Sequence, residues 1–256
     1  MLTLRNVIYV LGAVGVVTLV LLNLDGIFGI WGGQAPDLGQ PAGTVVTWLF
    51  WGSFVLLLVA LYRYRDQPAA HEVEVEGPAF ARFLFSNSAA GLFWLPIRLF
   101  LGLSWLESGL HKLGDPGWTQ GGSALLAYWQ RAAAIPDAPA RPPISYDWYR
   151  DFINFLINGQ HEGWFALLIT AGEITVGLGL LLGALTGIAA FFGAFMNMSF
   201  LLAGSASTNP VLFTMAVGLM LAWKVAGYYG LDRWLLPRLG TPWRPGAIFA
   251  RRSSTG

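Results

Sequence analysis

The stretch Trp164–Leu185, WFALLITAGEITVGLGLLLGAL, decides the fold class of this chain. It runs for 22 residues and contains a single ionisable side chain, Glu173. A helix of about 20 predominantly apolar residues is long enough to cross the hydrocarbon core of a bilayer. The stretch therefore predicts a transmembrane helix.

Other stretches of the chain meet the same criterion, and together they predict six spans. The composition agrees, because 55% of the residues are hydrophobic and only 11% are charged, whereas soluble domains carry about 25% charged residues. We expect an all-α integral membrane protein in which a two-helix N-terminal hairpin precedes a four-helix bundle. The other five predicted spans are Val7–Ile30, Thr44–Tyr62, Ala89–His111, Gly187–Gly204 and Val211–Gly227.

The connections between the spans define the domain boundaries. We predict an N-terminal hairpin at residues 1–65, a cytoplasmic linker at 66–88, a four-helix membrane domain at 89–237 and a cytoplasmic tail at 238–256. The membrane domain includes a long outer loop, 114–163, that is rich in tryptophan and tyrosine. Two stretches of this loop, Ser123–Ala134 and Tyr146–Asn158, are predicted to be amphipathic helices. They form either an aromatic belt at the headgroup level or a lid over the bundle.

The distribution of basic residues predicts the orientation. Arginines precede the first span, separate the second from the third and follow the sixth, whereas the first outer connection contains no Lys or Arg. The positive-inside rule therefore places both termini in the cytoplasm and the chain in the inner (cytoplasmic) membrane. The net charge is +1 and the basic residues form no continuous stripe, so we expect no nucleic-acid partner.

The sequence also limits the cofactors that the chain can hold. It contains no cysteine and only three histidines, which excludes thiol chemistry and cysteine-ligated iron–sulfur clusters. A haem held by two histidines is not expected either, because only His111 lies beside an apolar segment. We find no haem, flavin or metal motif, so no metal site is predicted.

Three polar residues are predicted near the middle of the membrane: Arg98, Glu173 and Asn197. Ionisable side chains at this depth are costly and are usually functional. A buried guanidinium requires an anion, so we expect Arg98 to pair with Glu173, either to fix the bundle or as part of a substrate site. Asn197 either bridges helices or hydrogen-bonds a quinone carbonyl.

The third span carries two chemically different faces. Arg98, Trp105 and Lys112 recur at helical spacing and share one face, which could meet an anionic ligand or Glu173. Glu107 and His111 lie four residues apart on the opposite side. A carboxylate and an imidazole in this position can exchange protons near the outer surface.

Several separated stretches resemble the DoxX/DoxD family, whose DoxD members are the membrane subunit of thiosulfate:quinone oxidoreductase. The resemblance begins at Arg98 and covers about 160 residues. Two features depart from the family pattern: the first two spans lie outside it, and the separate partner subunit is not part of this chain. The matching stretches are Arg98–Lys112, Gly172–Gly179, Gly193–Asn197, Asn209–Pro210 and Gly230–Pro237.

The resemblance implies a four-helix core with membrane quinone, menaquinone or ubiquinone, as electron acceptor. It also implies that thiosulfate, oxidised to tetrathionate, or another small sulfur compound is the donor. The residues and the resemblance together give two groups of candidate site residues. The catalytic proton carriers are Glu107, His111 and Glu173, and the substrate-binding residues are Arg98, Lys112, Asn197 and Trp105.

Three functions remain open from the sequence. The first is a quinone-linked oxidoreductase subunit, which the charged residues at membrane depth favour. The second is a non-catalytic accessory or anchor subunit of a respiratory or photosynthetic complex, which the missing cofactor motif favours. The third is a transporter of a small sulfur anion, which Arg98 and Lys112 on one helix face favour. The expected partners are the lipid bilayer and other protein subunits.

Overall fold

The computed structural model describes residues 3–22, 24, 36, 39, 41–64, 78–241 and 244–249. The chain divides into two compact units, residues 1–75 and 76–256. The described residues of both units are overwhelmingly α-helical, which confirms the all-α prediction.

The first unit consists of two apolar helices that pack against each other, α1 (Leu4–Leu22) and α2 (Ala42–Tyr64). The helices approach closely at Gly15, where an added Cβ would lie 3.6 Å from Oγ of Ser53. The Ser53 hydroxyl is buried but donates a hydrogen bond to a carbonyl of its own helix, so it leaves no unpaired group in an apolar setting. The predicted first span continued to Ile30, and residues 25–30 lie outside the described part of the chain.

The second unit contains the remaining helices. A 3₁₀ turn, Ser88–Ala90, leads into the long helix α4, and a short antiparallel pair, β1 (Gly240–Thr241) and β2 (Arg244–Pro245), lies near the end of the described chain. The helices are α3 (Ala79–Ser86), α4 (Gly91–Gly114), α5 (Pro116–Thr119), α6 (Ser123–Ala133), α7 (Asp147–Asn158), α8 (Glu162–Leu182), α9 (Thr186–Leu202), α10 (Asn209–Leu221) and α11 (Asp232–Leu239). The last part of the predicted linker 66–88 is thus helical, whereas residues 66–77 lie outside the description.

Glycines let α4 and α8 pack with their backbones in contact. A Cβ added to Gly177 would lie 2.6 Å from the backbone nitrogen of Leu106, and one added to Gly109 would lie 2.9 Å from that of Ile174. Any larger residue at either position would push the helices apart. This close approach fixes which side chains of α8 can reach α4, and it is the packing that small residues favour in membrane helices.

Among the described residues, four helices are long and apolar enough to cross a membrane: Leu4–Leu22, Ala42–Arg63, Ser88–Gly114 and Glu162–Leu182. Together with the many apolar side chains on the outside of these helices, they imply a lipid bilayer environment. The helices at the predicted fifth and sixth spans are shorter, with 17 residues in α9 and 13 in α10. A helix of 13 residues is only about 20 Å long, less than the roughly 30 Å of the hydrocarbon core. The count of six spans therefore remains a prediction.

The sixth predicted span ends earlier than expected. The sequence suggested helix as far as Gly227, but α10 ends at Leu221 and turns continue to Leu231. These turns wrap around the connection between α8 and α9, where the backbone nitrogen of Leu231 donates to Leu182 O at 3.0 Å. The apolar composition alone could not distinguish these turns from another helical turn.

The predicted outer helices form within one residue of their expected bounds, as α6 and α7. Their apolar faces pack together and against the first turns of α8 and the end of α9. Trp129 and Tyr149 are buried in this cluster, whereas Tyr146, Trp148 and Phe155 are exposed. The two helices therefore cover one end of the bundle with some of their aromatic side chains and expose the others.

Candidate functional site

A cavity of about 660 Å³ lies at the end of the bundle where α4 finishes and α8 begins, here called the Gly114 end. Five of the seven predicted site residues line it together: Trp105, Glu107, His111, Lys112 and Glu173. Arg98 and Asn197 are not among its lining residues. The remaining lining residues are Phe100, Ser104, Ser108, Trp118, Tyr128, Phe200, Ser205, Ser207, Thr208, Asn209 and Leu212.

The strongest polar contact in the cavity joins Lys112 to Glu173. The Lys112 ammonium lies 2.8 and 2.9 Å from the two carboxylate oxygens and also donates to Ser108 Oγ at 2.7 Å. The Trp118 ring, from α5, lies against the ammonium, with 4.9 Å between Nζ and the ring centroid. Charge, hydrogen bonds and aromatic contact therefore all hold Lys112 in one position.

The expected pairing of Arg98 with Glu173 is wrong. Counting residues into each span predicts similar depths for the two residues. In the structure, however, Glu173 faces α4 at Gly109, because a Cβ added to Gly109 would lie 3.1 Å from Glu173 Cβ. Arg98 lies 11 residues before Gly109 on the same helix, about 16 Å along the axis. Glu173 therefore reaches Lys112 and not Arg98.

Arg98 is instead bound to the backbone at the opposite end of α8, here called the Gly183 end. Arg98 as a residue is 1% exposed, and its guanidinium donates to Leu180 O at 2.6 Å, Leu181 O at 3.2 Å and Tyr229 O at 3.2 Å. The last carbonyls of a helix lack partners within the helix and carry partial negative charge. Arg98 supplies those partners and is not part of the cavity wall.

Gly183 and Asp232 complete the arrangement around Arg98. Gly183 ends α8 with a φ of 62°, and an added Cβ would collide with the Arg98 guanidinium. Asp232 is buried and accepts hydrogen bonds from the backbone nitrogens of Leu185 at 2.6 Å and Thr186 at 2.8 Å, at the start of α9. The sequence reasoning missed Asp232 as a buried group.

Glu107 and His111 lie on the exposed side of α4, as the helical spacing predicted, and both border the cavity. An exposed carboxylate and imidazole at the mouth of a cavity can exchange protons with water or headgroups. The buried pair of Lys112 and Glu173 lies deeper. The cavity thus has an exposed carboxylate and imidazole at its rim and an ion pair in its interior.

Trp105 and Asn197 form a polar region in the apolar core of the bundle. The amide nitrogen and oxygen of Asn197 and Nε1 of Trp105 are buried and have no hydrogen-bond partner among the described residues. A Cβ added to Gly193, one turn before Asn197 on the same face of α9, would lie 3.0 Å from Trp105 Nε1. Each such group left unpaired costs about 1–3 kcal/mol.

Hydroxyl and amide groups at the rim were not identified from the sequence. Ser108 lies one turn before Lys112, and this i,i+4 spacing could have revealed it. Ser205, Ser207, Thr208 and Asn209 come from the loop between α9 and α10, where helical spacing gives no signal. Tyr128 comes from α6 and contacts Phe200 edge to face.

Helices α6 and α7 each carry a tyrosine whose pKa is raised by burial. Burial raises the pKa of Tyr128, although Ser205 and Arg131 oppose the shift. Burial, together with the nearby Tyr128, raises the pKa of Tyr149 to about 12. The Tyr149 hydroxyl donates to Ser199 O at 2.8 Å, which fastens α7 to α9.

The charges around the cavity do not favour a small anion. Two carboxylates, Glu107 and Glu173, border it, and its one lysine ammonium is held by Glu173. Arg98 donates to backbone carbonyls outside the cavity. The cationic face expected from the sequence therefore offers no free cation in this cavity.

Comparison with known families gives one finding. The DoxX family model matches residues 93–205, a range that runs from the first turn of α4 to just beyond α9 and includes every predicted site residue. This confirms the DoxX part of the resemblance. Comparison of the chain with curated proteins and with solved structures gives no match.

Proposed function

The chain is a membrane protein with a DoxX domain, and we propose that it is the membrane subunit of a quinone-linked oxidoreductase. We propose further that its cavity binds the quinone. The observation that supports this most is the free hydrogen-bonding capacity of Trp105, a residue of the cavity wall, and of Asn197, which lies in the core of the bundle outside the lining. An indole N–H and an amide N–H can donate to a quinone carbonyl, and the amide oxygen can accept from a quinol hydroxyl. An uncharged ring with two oxygen atoms satisfies these groups without adding charge.

The residues at the rim fit the proton requirement of this chemistry. Reduction of a quinone to a quinol consumes two electrons and two protons. Glu107 and His111 are exposed at the cavity and can take up protons from the aqueous side. In this proposal Glu173, which is held by Lys112 at the inner wall, passes a proton inward when the ion pair opens.

The electrons must come from a donor outside this cavity. The resemblance implies thiosulfate, of which two molecules give one tetrathionate and two electrons, or another small sulfur compound. The cavity has no free cation to bind a dianion. We therefore propose that a partner subunit oxidises the donor and delivers the electrons. With both termini cytoplasmic in the inner membrane, the Gly114 end faces the outer side, where such a partner would bind.

The chain as an accessory or anchor subunit is the second candidate. It is favoured by the sequence, which has no cysteine and only three histidines and so offers no ligand set for an electron-carrying metal centre. In that case the quinone cavity would be shared with, or replaced by, a site on the partner. The observation that favoured a sulfur-anion transporter no longer applies, because Arg98 and Lys112 both donate hydrogen bonds to groups of the protein itself.

The experiment compares two tryptophan variants of the purified protein. Trp105→Phe removes an N–H that has no partner among the described residues, and we expect it to weaken quinone binding about tenfold, since one hydrogen bond is worth about 1 kcal/mol or slightly more. Trp94→Phe is the matched control, because Trp94 Nε1 already donates to Leu84 O at 2.8 Å. Absence of quinone binding to the parent, or equal affinities of the two variants, would contradict the proposal.

A further inference from the structure

A second concavity, of about 540 Å³, runs along the outside of the bundle between α8 and α9 and beneath α6 and α7. Its lining is almost entirely apolar and includes no charged side chain. On α9 the lining follows the helix from Leu185 to Ala203, about 27 Å at 1.5 Å per residue. The groove is therefore nearly as long as the hydrocarbon core is thick.

Small residues make this groove deep. Gly172 and Gly179 on α8 and Ala189 on α9 leave space where larger side chains would fill the gap between the helices. An added Cβ at Gly172 would contact only Met196, at 3.4 Å from Sδ. Gly172 is thus not required for close helix packing, in contrast to Gly109 and Gly177.

The groove and the cavity meet at two aromatic side chains. Tyr128 and Phe200 line both of them, and their rings are in edge-to-face contact with centroids 6.4 Å apart. One face of this pair borders the polar cavity and the other borders the apolar groove. A ligand with a polar ring and a long apolar chain matches both environments across this shared wall.

We propose that the groove binds the isoprenoid tail of the quinone whose headgroup occupies the cavity. This assignment rests on the proposed function for the position of the headgroup. A methyl-branched chain lying in the groove would make van der Waals contacts along its length, while Trp105 and Asn197 would fix the ring. Displacement of the contact between Tyr128 and Phe200 would join the two spaces.

The test uses variants that fill the groove. Gly172→Leu places a side chain in its centre, and Ala171→Leu, at an exposed neighbouring position outside the lining, is the matched control. Thr175→Trp, exposed on the same wall, is a second filling variant should Gly172→Leu fold poorly. Three probes are titrated in detergent: a long-tailed quinone, the same headgroup with a methyl group in place of the tail, and a polyprenyl alcohol without a quinone.

We expect Gly172→Leu to weaken binding of the tailed quinone about tenfold or more. Ala171→Leu should bind it as the parent does, and the tail-less headgroup should bind all variants equally. Equal binding of the tailed quinone to both variants, or displacement of the polyprenyl alcohol by an equal concentration of a diacyl phospholipid, would overturn the inference. If the parent binds the polyprenyl alcohol but neither quinone, the headgroup assignment fails while the groove remains an isoprenoid site.

Discussion

Lys112 and Glu173 are 61 positions apart in the chain, yet the ammonium of one lies within 2.9 Å of both carboxylate oxygens of the other. The side chains are 14% and 1% exposed. The pair joins α4 to α8 at the Gly114 end and forms the inner wall of the cavity. It therefore contributes to the stability of the bundle and sets the charge that a ligand meets.

Removal of Lys112 should destabilise the protein. Lys112→Met leaves the Glu173 carboxylate buried without a counter-charge, and loss of one partner of a buried pair costs about 3–5 kcal/mol. The midpoint of thermal unfolding in detergent measures this loss. The double variant Lys112→Met with Glu173→Leu should recover much of it, because neither charge remains.

The control for this prediction is Lys224→Met. Lys224 is exposed near the end of α10, and its ammonium lies 5.8 Å from the centroid of the Trp223 ring, so we expect a change of well under 1 kcal/mol. Additive losses in the double variant of Lys112 and Glu173 would show that the two side chains are not energetically coupled.

Arg98→Lys should reduce stability while leaving quinone affinity unchanged. A lysine ammonium cannot reproduce the fork that reaches carbonyls of α8 and of Tyr229 together, so at least one of these charged hydrogen bonds is lost, at about 1.5–3 kcal/mol each. Arg131→Lys, at an exposed position on α6, is the control. A selective loss of quinone affinity in Arg98→Lys with normal stability would assign Arg98 to the ligand site.

Asn197→Leu should stabilise the quinone-free protein. The buried amide has no partner among the described residues, so an apolar side chain of similar size removes an unpaired polar group worth about 1–3 kcal/mol. The same variant should bind quinone more weakly. Asn209→Leu is the contrasting control, because Asn209 donates to Ser205 O at 2.7 Å and should lose stability when replaced. A lower unfolding midpoint for Asn197→Leu without ligand would indicate that the amide is satisfied.

Stability should fall between about pH 10 and pH 12 in a way that depends on Tyr149. Its pKa is raised to about 12 in the folded protein, against about 10 in an unfolded chain. In that interval the folded state holds a proton that the unfolded state has released, so the stabilisation present below pH 10 is lost as the pH rises. Tyr149→Phe should show a smaller decline of the unfolding midpoint than the parent. Tyr146→Phe, at an exposed position, should decline as the parent does.

The sequence predicted the helices of the second unit well because long apolar runs and amphipathic spacing are local properties. It also named Glu107, His111, Lys112 and Glu173 as candidates, although it predicted Lys112 on the face of the third span opposite to Glu107 and His111. The structure shows that these four side chains border one cavity. The sequence did not predict contacts that depend on the relative position of two packed helices along their axes. The depth of Arg98 relative to Glu173 is set by the contacts of Gly109 and Gly177 with the facing backbone, which no count of residues along one span can give.

The loops were the other source of error. Asp232 reads as an ordinary charge after the last span, yet the turns before it fold back and place its carboxylate at the first backbone nitrogens of α9. Tyr128 and the residues from Ser205 to Asn209 enter the cavity wall through tertiary packing of α6 and of a loop. Neither contribution has a periodic signature in the sequence.

The most direct test of the account is photolabelling of the purified protein with an azido-quinone, followed by identification of the labelled peptides by mass spectrometry. We predict that the label concentrates on the α4 segment from Ser104 to Lys112 and on the segment from Ser205 to Leu212, and that excess unlabelled quinone prevents it. Label distributed over lipid-facing helices, or label that excess quinone does not reduce, would contradict a quinone site in this cavity.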